Sequence, residues 1–203
     1  ISEYSSEYVP GPIVNGTFSP DSPDFRVYKL YRDSLAGNPN EDYLNWPVDQ
    51  GAPVNDDGTP KMIGDQMLWA VYNDMDPSAH SNDAGETNPL GIEVRQTVFG
   101  FDRIGSLGNM VFVRYRIFNK GDRTLNECYF SIWYDPDLGT SGDDLVGCDT
   151  TIDLGFVYNS TNDDGQYGLN PPALGCDFFQ GPLVFTGDEA DTALMWDTTW
   201  VGY

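Results

Sequence analysis

Residues 92–119 constrain the fold more than any other stretch. IEVRQTVFGF (92–101) runs through DRIGSLGN into MVFVRYRIFN (110–119). In the second segment Val111, Val113, Tyr115 and Ile117 share one parity, and Phe112, Arg114, Arg116 and Phe118 share the other. A period of two belongs to a β-strand, whose successive side chains point to opposite faces. Two such runs joined by a Gly-containing turn predict an antiparallel hairpin. Its arginines are expected to face water or a carboxylate partner.

Strands are also expected at FRVYKLYRD (25–33), CYFSIWYD (128–135), TIDLGFVYN (151–159) and PLVFTG (182–187). MLWAVYND (67–74) reads as a strand or a short helix, and ADTALMWDT (190–198) as a helical turn or two. The 22 Gly and 14 Pro fall largely between these runs, as turn residues do. The expected fold is all-β, an antiparallel β-sandwich of immunoglobulin-like or jelly-roll-like kind with long acidic Gly/Asp/Pro-rich loops. Residues 25–203 are expected to form one such domain. Residues 1–24 are expected to be an extended segment whose run Tyr8–Val14 suits lying along another surface. The ends, Ile-Ser-Glu and Trp-Val-Gly-Tyr, suggest a processed product or a piece of a longer chain.

The net charge of −22 excludes a nucleic-acid partner, because ten Lys and Arg neutralise few phosphates. It argues equally against anionic membrane surfaces, and no run approaches the roughly 20 apolar residues of a membrane span. The acid is 25 Asp against 7 Glu, a bias toward turns and oxygen-rich cation sites. WYDPDLGTSGDDLVGCDTT (133–151) concentrates it. Asp135 and Asp137 leave a predicted strand, Gly139 and Gly142 let the chain turn back, and Asp143, Asp144 and Asp149 can close a cage. Five unpaired carboxylates in one loop would repel one another, so structural Ca2+ is expected there. Asn73, Asp74, Asp76, Asn82 and Asp83 form a second oxygen-rich loop, which suits calcium and Asx-turns equally. Neither loop has EF-hand spacing.

Catalytic signals are weak. The single histidine, His80, lies in a polar loop, and neither a G-x-S-x-G elbow nor an H-E-x-x-H motif occurs. No phosphate-cradling glycine loop is present. Pairs of carboxylates for glycoside hydrolysis abound among 32 acids, but spacing alone does not select one. Trp46, Trp69, Trp133, Trp196 and Trp200 suit either a sugar-stacking platform or β cores, and cores are the commoner use. Of the three cysteines, Cys128 alternates with Phe130 and Ile132 and is expected to be a core thiol. The odd number allows one disulfide or three free thiols. Asn15-Gly-Thr and Asn159-Ser-Thr fit the N-glycosylation sequon.

DYLNWPVDQGAPV (42–54), GDQMLWAVYNDMDPSAH (64–80), LGIEVRQTVFGF (90–101) and DPDLGTSGDDLVGCDTTIDLGFVYN (135–159) occur in this order. Together they resemble a region of large secreted surface proteins of the Bacteroidetes type, exported by type IX secretion and often ending in a C-terminal sorting domain. The resemblance spans roughly residues 25–185 and implies an extracellular, cell-surface location. In that family a cysteine often stands where this chain has Val157, which leaves Cys176 as the candidate disulfide partner of Cys148. The resemblance also implies O-glycans on Asp-Ser/Thr-apolar triplets, with Ser34, Thr150, Thr192 and Thr198 as candidates. The functional expectation is a non-enzymatic structural or adhesive surface domain, calcium-stabilised and built into a larger assembly with other subunits or domains. The alternatives are a carbohydrate-binding module of a secreted degradative protein and an acidic hydrolase.

Overall fold

A computed structural model describes residues 7–35, 37–81, 87–195 and 198–203, with the side chains of residues 34 and 35 left out. The chain is all-β, and every strand pairing is antiparallel, in keeping with the sandwich class expected from the sequence. It forms two compact units, Ile1–Cys128 and Tyr129–Tyr203.

The first unit holds a five-stranded sheet of β1 (Val9–Pro10), β2 (Tyr28–Tyr31), β3 (Gln66–Asn73), β4 (Ile92–Gly100) and β5 (Val111–Asn119). β4 and β5 form the expected hairpin, with Ile92 opposite Asn119 and Gly100 opposite Val111. β3 settles the strand-or-helix ambiguity of 67–74. Its alternation places Met67, Trp69, Val71 and Asn73 on one buried face, which a helix could not do. Its free edge is shared in tandem, Tyr31–Tyr28 pairing with Gln66–Trp69 and Pro10–Val9 with Tyr72–Asn73. A short helix, α1 (Glu41–Leu44), is capped by Asn40, whose Oδ1 accepts from the Tyr43 N–H at 3.0 Å. The core gathers Tyr28, Leu30, Trp46, Ala52, Met67, Trp69 and Val71. The ring centroids of Trp46 and Trp69 are 6.0 Å apart.

The hairpin's arginines do not simply face water. Register sets Phe112, Arg114, Arg116 and Phe118 on the same face as Phe99, Thr97, Arg95 and Glu93. Phe112 stacks on Phe99 at 5.2 Å, and the Arg95 guanidinium lies 4.5 Å from the Phe118 ring centre. The apolar parity of β5, Val111 to Ile117, is the exposed one. The Tyr8–Val14 run also differs from expectation, because it lies against its own sheet. Gly11 N–H donates to Val71 O, and Ile13 is buried with its N–H 2.8 Å from Glu93 Oε2.

The second unit holds a three-stranded sheet of β6 (Asp144–Asp149), β7 (Leu154–Asn159) and β10 (Ala173–Asp177), with β7 central. The unit also holds two small hairpins, β8 (Asp163–Asp164) with β9 (Gly168–Leu169), and β11 (Thr192–Met195) with β12 (Thr198–Val201). Three sequence expectations are corrected here. Residues 128–135 form no strand, so Cys128 is exposed rather than a core thiol. Residues 182–187 also form none; among the described residues the Thr186 and Gly187 N–H groups donate to Gly202 O. The stretch read as a helical turn pairs as β11–β12, as its threonines favour.

Candidate functional site

Residues 73–80 are braced by hydrogen bonds to their own side chains. Asp74 Oδ1 accepts from the Gly91 and Ile92 N–H groups at 2.9 and 2.6 Å, and its Oδ2 accepts from Leu90 N–H at 2.8 Å. Asn73 Oδ1 accepts from Met75 N–H, and its Nδ2 donates to Gly11 O. Asp76 closes an Asx-turn on the Ser78 N–H and hydroxyl. These side chains therefore act as backbone caps for the turn from β3 to β4. His80 Nε2 lies 2.7 Å from Asp74 O, and its Nδ1 lies 3.8 Å from Glu7. Asp83, like Asn82, lies outside the described residues.

The 135–149 stretch is not one cage, because its second half is a strand. Asp144 and Asp149 sit at opposite ends of β6, about 16–17 Å apart and on opposite faces. Asp149 caps its own turn through the Thr151 N–H and hydroxyl. Asp135 and Asp137 are exposed ahead of it. Among the described residues, no three His, Cys, Asp or Glu side chains gather as a metal cage.

What the structure does assemble is a bracket around residues 138–140. Asp144 Oδ2 accepts from Leu138 N–H at 2.8 Å, and Asp164 Oδ2 accepts from Thr140 N–H at 2.9 Å. Asp164 Oδ1 also accepts from the Gln166 and Tyr167 N–H groups at 2.9 and 2.6 Å. These bonds, from Tyr167 and then Thr140 foremost, hold the Asp164 carboxyl down at about 2. Gly139 sits between with φ 71°, and a Cβ there would run into the Asp164 carboxylate. Three oxygens nearby stay buried without a hydrogen-bond partner: Asp143 Oδ1, Asp144 Oδ1 and Asn159 Oδ1.

Sequence reasoning passed over Asp164 and Glu93. The first had a signal, since the turn tetrapeptide NDDG occurs twice, at 55–58 and at 162–165. Glu93 is fully buried and bonded to Arg95 Nε at 2.9 Å, to Lys120 Nζ and to Ile13 N–H. It had no signal in the sequence, because its place opposite Asn73 in the β3–β4 ladder is set by register.

Cys148 and Cys176 are free, not bridged. Each pairs in register with Gly155, on opposite sides of β7. Two strand spacings put their Cα atoms about 9–10 Å apart, beyond the roughly 7 Å limit for a disulfide. Of the glycosylation candidates, Asn15, Thr150, Thr192 and Thr198 are exposed. Asn159 is buried, with Nδ2 donating to Thr161 O and Asp163 O, so an N-glycan there would replace one of its two N–H donors and break at least one of these bonds. The Ser34 side chain lies outside the described residues. Trp46 and Trp69 are core residues, Trp133 and Trp200 are exposed, and Trp196 lies outside the described residues.

No protein-family model, curated protein or solved structure matches this chain.

Proposed function

We propose that this chain is a non-enzymatic structural domain of an extracellular surface assembly, braced by calcium. The observation that carries the reading is the use to which the acids are put. Asp74 and Asp164 each spend both carboxylate oxygens on three backbone N–H groups, and Asp76 and Asp149 cap turns. Carboxylates committed in this way hold loops in shape and are poorly placed to move protons. The segments that resemble secreted Bacteroidetes surface proteins add a location and a partner class, other subunits or domains of the same surface layer. Among the described residues β5 is the last strand of its sheet and its apolar parity is exposed, which suits pairing with a neighbouring strand. Sedimentation across concentration, with and without calcium, tests this. Self-association or co-assembly is expected, and a monomer under every condition and with every candidate partner overturns it.

The exposure of Trp133 and Trp200, at 73% and 44%, favours a second reading as a carbohydrate-binding module. That reading expects glycans to retard the protein in affinity electrophoresis and Trp133→Ala or Trp200→Ala to abolish the shift. If a broad panel gives no retardation, it is wrong.

A further inference from the structure

The second unit contains thirteen Asp and Glu and not one Lys, Arg or His. Every ion pair among the described residues falls between residues 7 and 123. A buried carboxylate oxygen in residues 129–203 therefore has no cationic side chain within its own unit to answer it. Buried polar atoms are ordinarily satisfied, and those that are not call for an unseen water or ion.

Three such atoms lie at one end of the β6–β7 ladder. Asp144 and Asn159 are direct register partners, so their side chains rise from the same face with Cβ atoms about 4.5–5.5 Å apart. Asn159 is 8% exposed. Its Nδ2 is committed to Thr161 O and Asp163 O, which fixes the amide so that Oδ1 is the atom left over. Asp144 Oδ2 is likewise committed to Leu138 N–H, which leaves Oδ1. Asp143 precedes Asp144 in a 3-10 turn, where strand alternation does not apply, and its Oδ1 is the third unpartnered oxygen. Its backbone carbonyl accepts from Ser160 N–H, which ties it to the chain beside Asn159.

We propose that this end of the ladder binds a hard divalent cation, calcium, through Asp143 and Asp144 with the Asn159 amide oxygen as a neutral third ligand. Two carboxylates and an amide are oxygen donors of the kind calcium takes, with carbonyls and water completing a shell of six to eight. A water could satisfy one oxygen, but it would leave two adjacent half-buried carboxylates, each with one buried oxygen, without counter-charge. The site excludes Asp149, at the far end of β6, and does not need Asp135 or Asp137.

The proposal rests on the calcium part of the functional reading and gives it an address. The test titrates the full chain, stripped with chelator, with Ca2+ by calorimetry and follows melting in parallel. Wild type is expected to bind saturably and to melt higher with calcium. Asp144→Asn and Asp143→Asn are each expected to weaken binding about tenfold or more. Asp135→Asn combined with Asp137→Asn is expected to leave it within about twofold. Near-UV spectra in chelator establish which variants fold, and either single variant suffices. Saturable binding that both single variants retain overturns this site but leaves calcium bracing intact. No saturable binding to wild type overturns both. A monomer that binds calcium here overturns the assembly reading and leaves the site standing.

Discussion

Glu93 shows how much one side chain can hold at the residue scale. It joins two cations of the sheet to the amide of Ile13, so it fastens the N-terminal segment as well as filling the ladder. Glu93→Leu leaves the Ile13 N–H without its acceptor and removes the carboxylate that answers Lys120 and Arg95, which keep the Ile13 and Gly51 carbonyls. We expect it to cost about 2–4 kcal/mol in urea denaturation. We also expect amide exchange to accelerate across residues 9–14 before it does in β3. Asp164 makes a pH prediction. Its folded carboxyl is held at about 2, below the ordinary aspartate value near 3.8. A depressed acid contributes stability that is complete above about pH 4 and is lost as pH falls through about 2. The second unit should therefore melt progressively lower between those limits. Asp164→Asn should lower its melting point at neutral pH and flatten that part of the acid profile.

At the scale of the element, β2 and β3 carry the first unit's core. Leu30 is fully buried between their side chains and those of the 46–54 region. Leu30→Ala should cost about 2–5 kcal/mol by equilibrium unfolding, depending on how far the cavity collapses. β2 was legible because it is rich in strand-forming residues, whereas β3 carries a period of two in its letters but read equally as a short helix. β4 and β5 were legible from their alternation and the turn between them, although β5 turns its apolar parity outward. CYFSIWYD has the same pattern yet forms no ladder here, because alternation marks a strand's faces and says nothing about its hydrogen-bond partners. β6 went unread for the opposite reason. Its residues, DLVGCD, begin and end in aspartate, and the crowding of acids around them drew the eye to the loop. The oxygen-rich character of that stretch was legible, but the division of labour was not. Whether an aspartate caps a turn, as Asp149 does, or leaves an oxygen over, as Asp144 does, depends on register with β7. A sequence does not spell out register.

The whole molecule divides its charge unevenly. All ten Lys and Arg lie at or before residue 123, while the acids run to residue 191 and beyond. This has a consequence in proteolysis. A protease that cuts after lysine or arginine has no bond to attack beyond Arg123, whether that region is folded or not. Trypsin acting on the denatured chain should release residues 124–203 as a single 80-residue peptide, visible as one intact mass. Amine-directed chemistry is partitioned in the same way. Reagents that acylate lysine will mark Lys29, Lys61 and Lys120 and pass over the second unit, so a dye attached through an amine reports on the first unit alone.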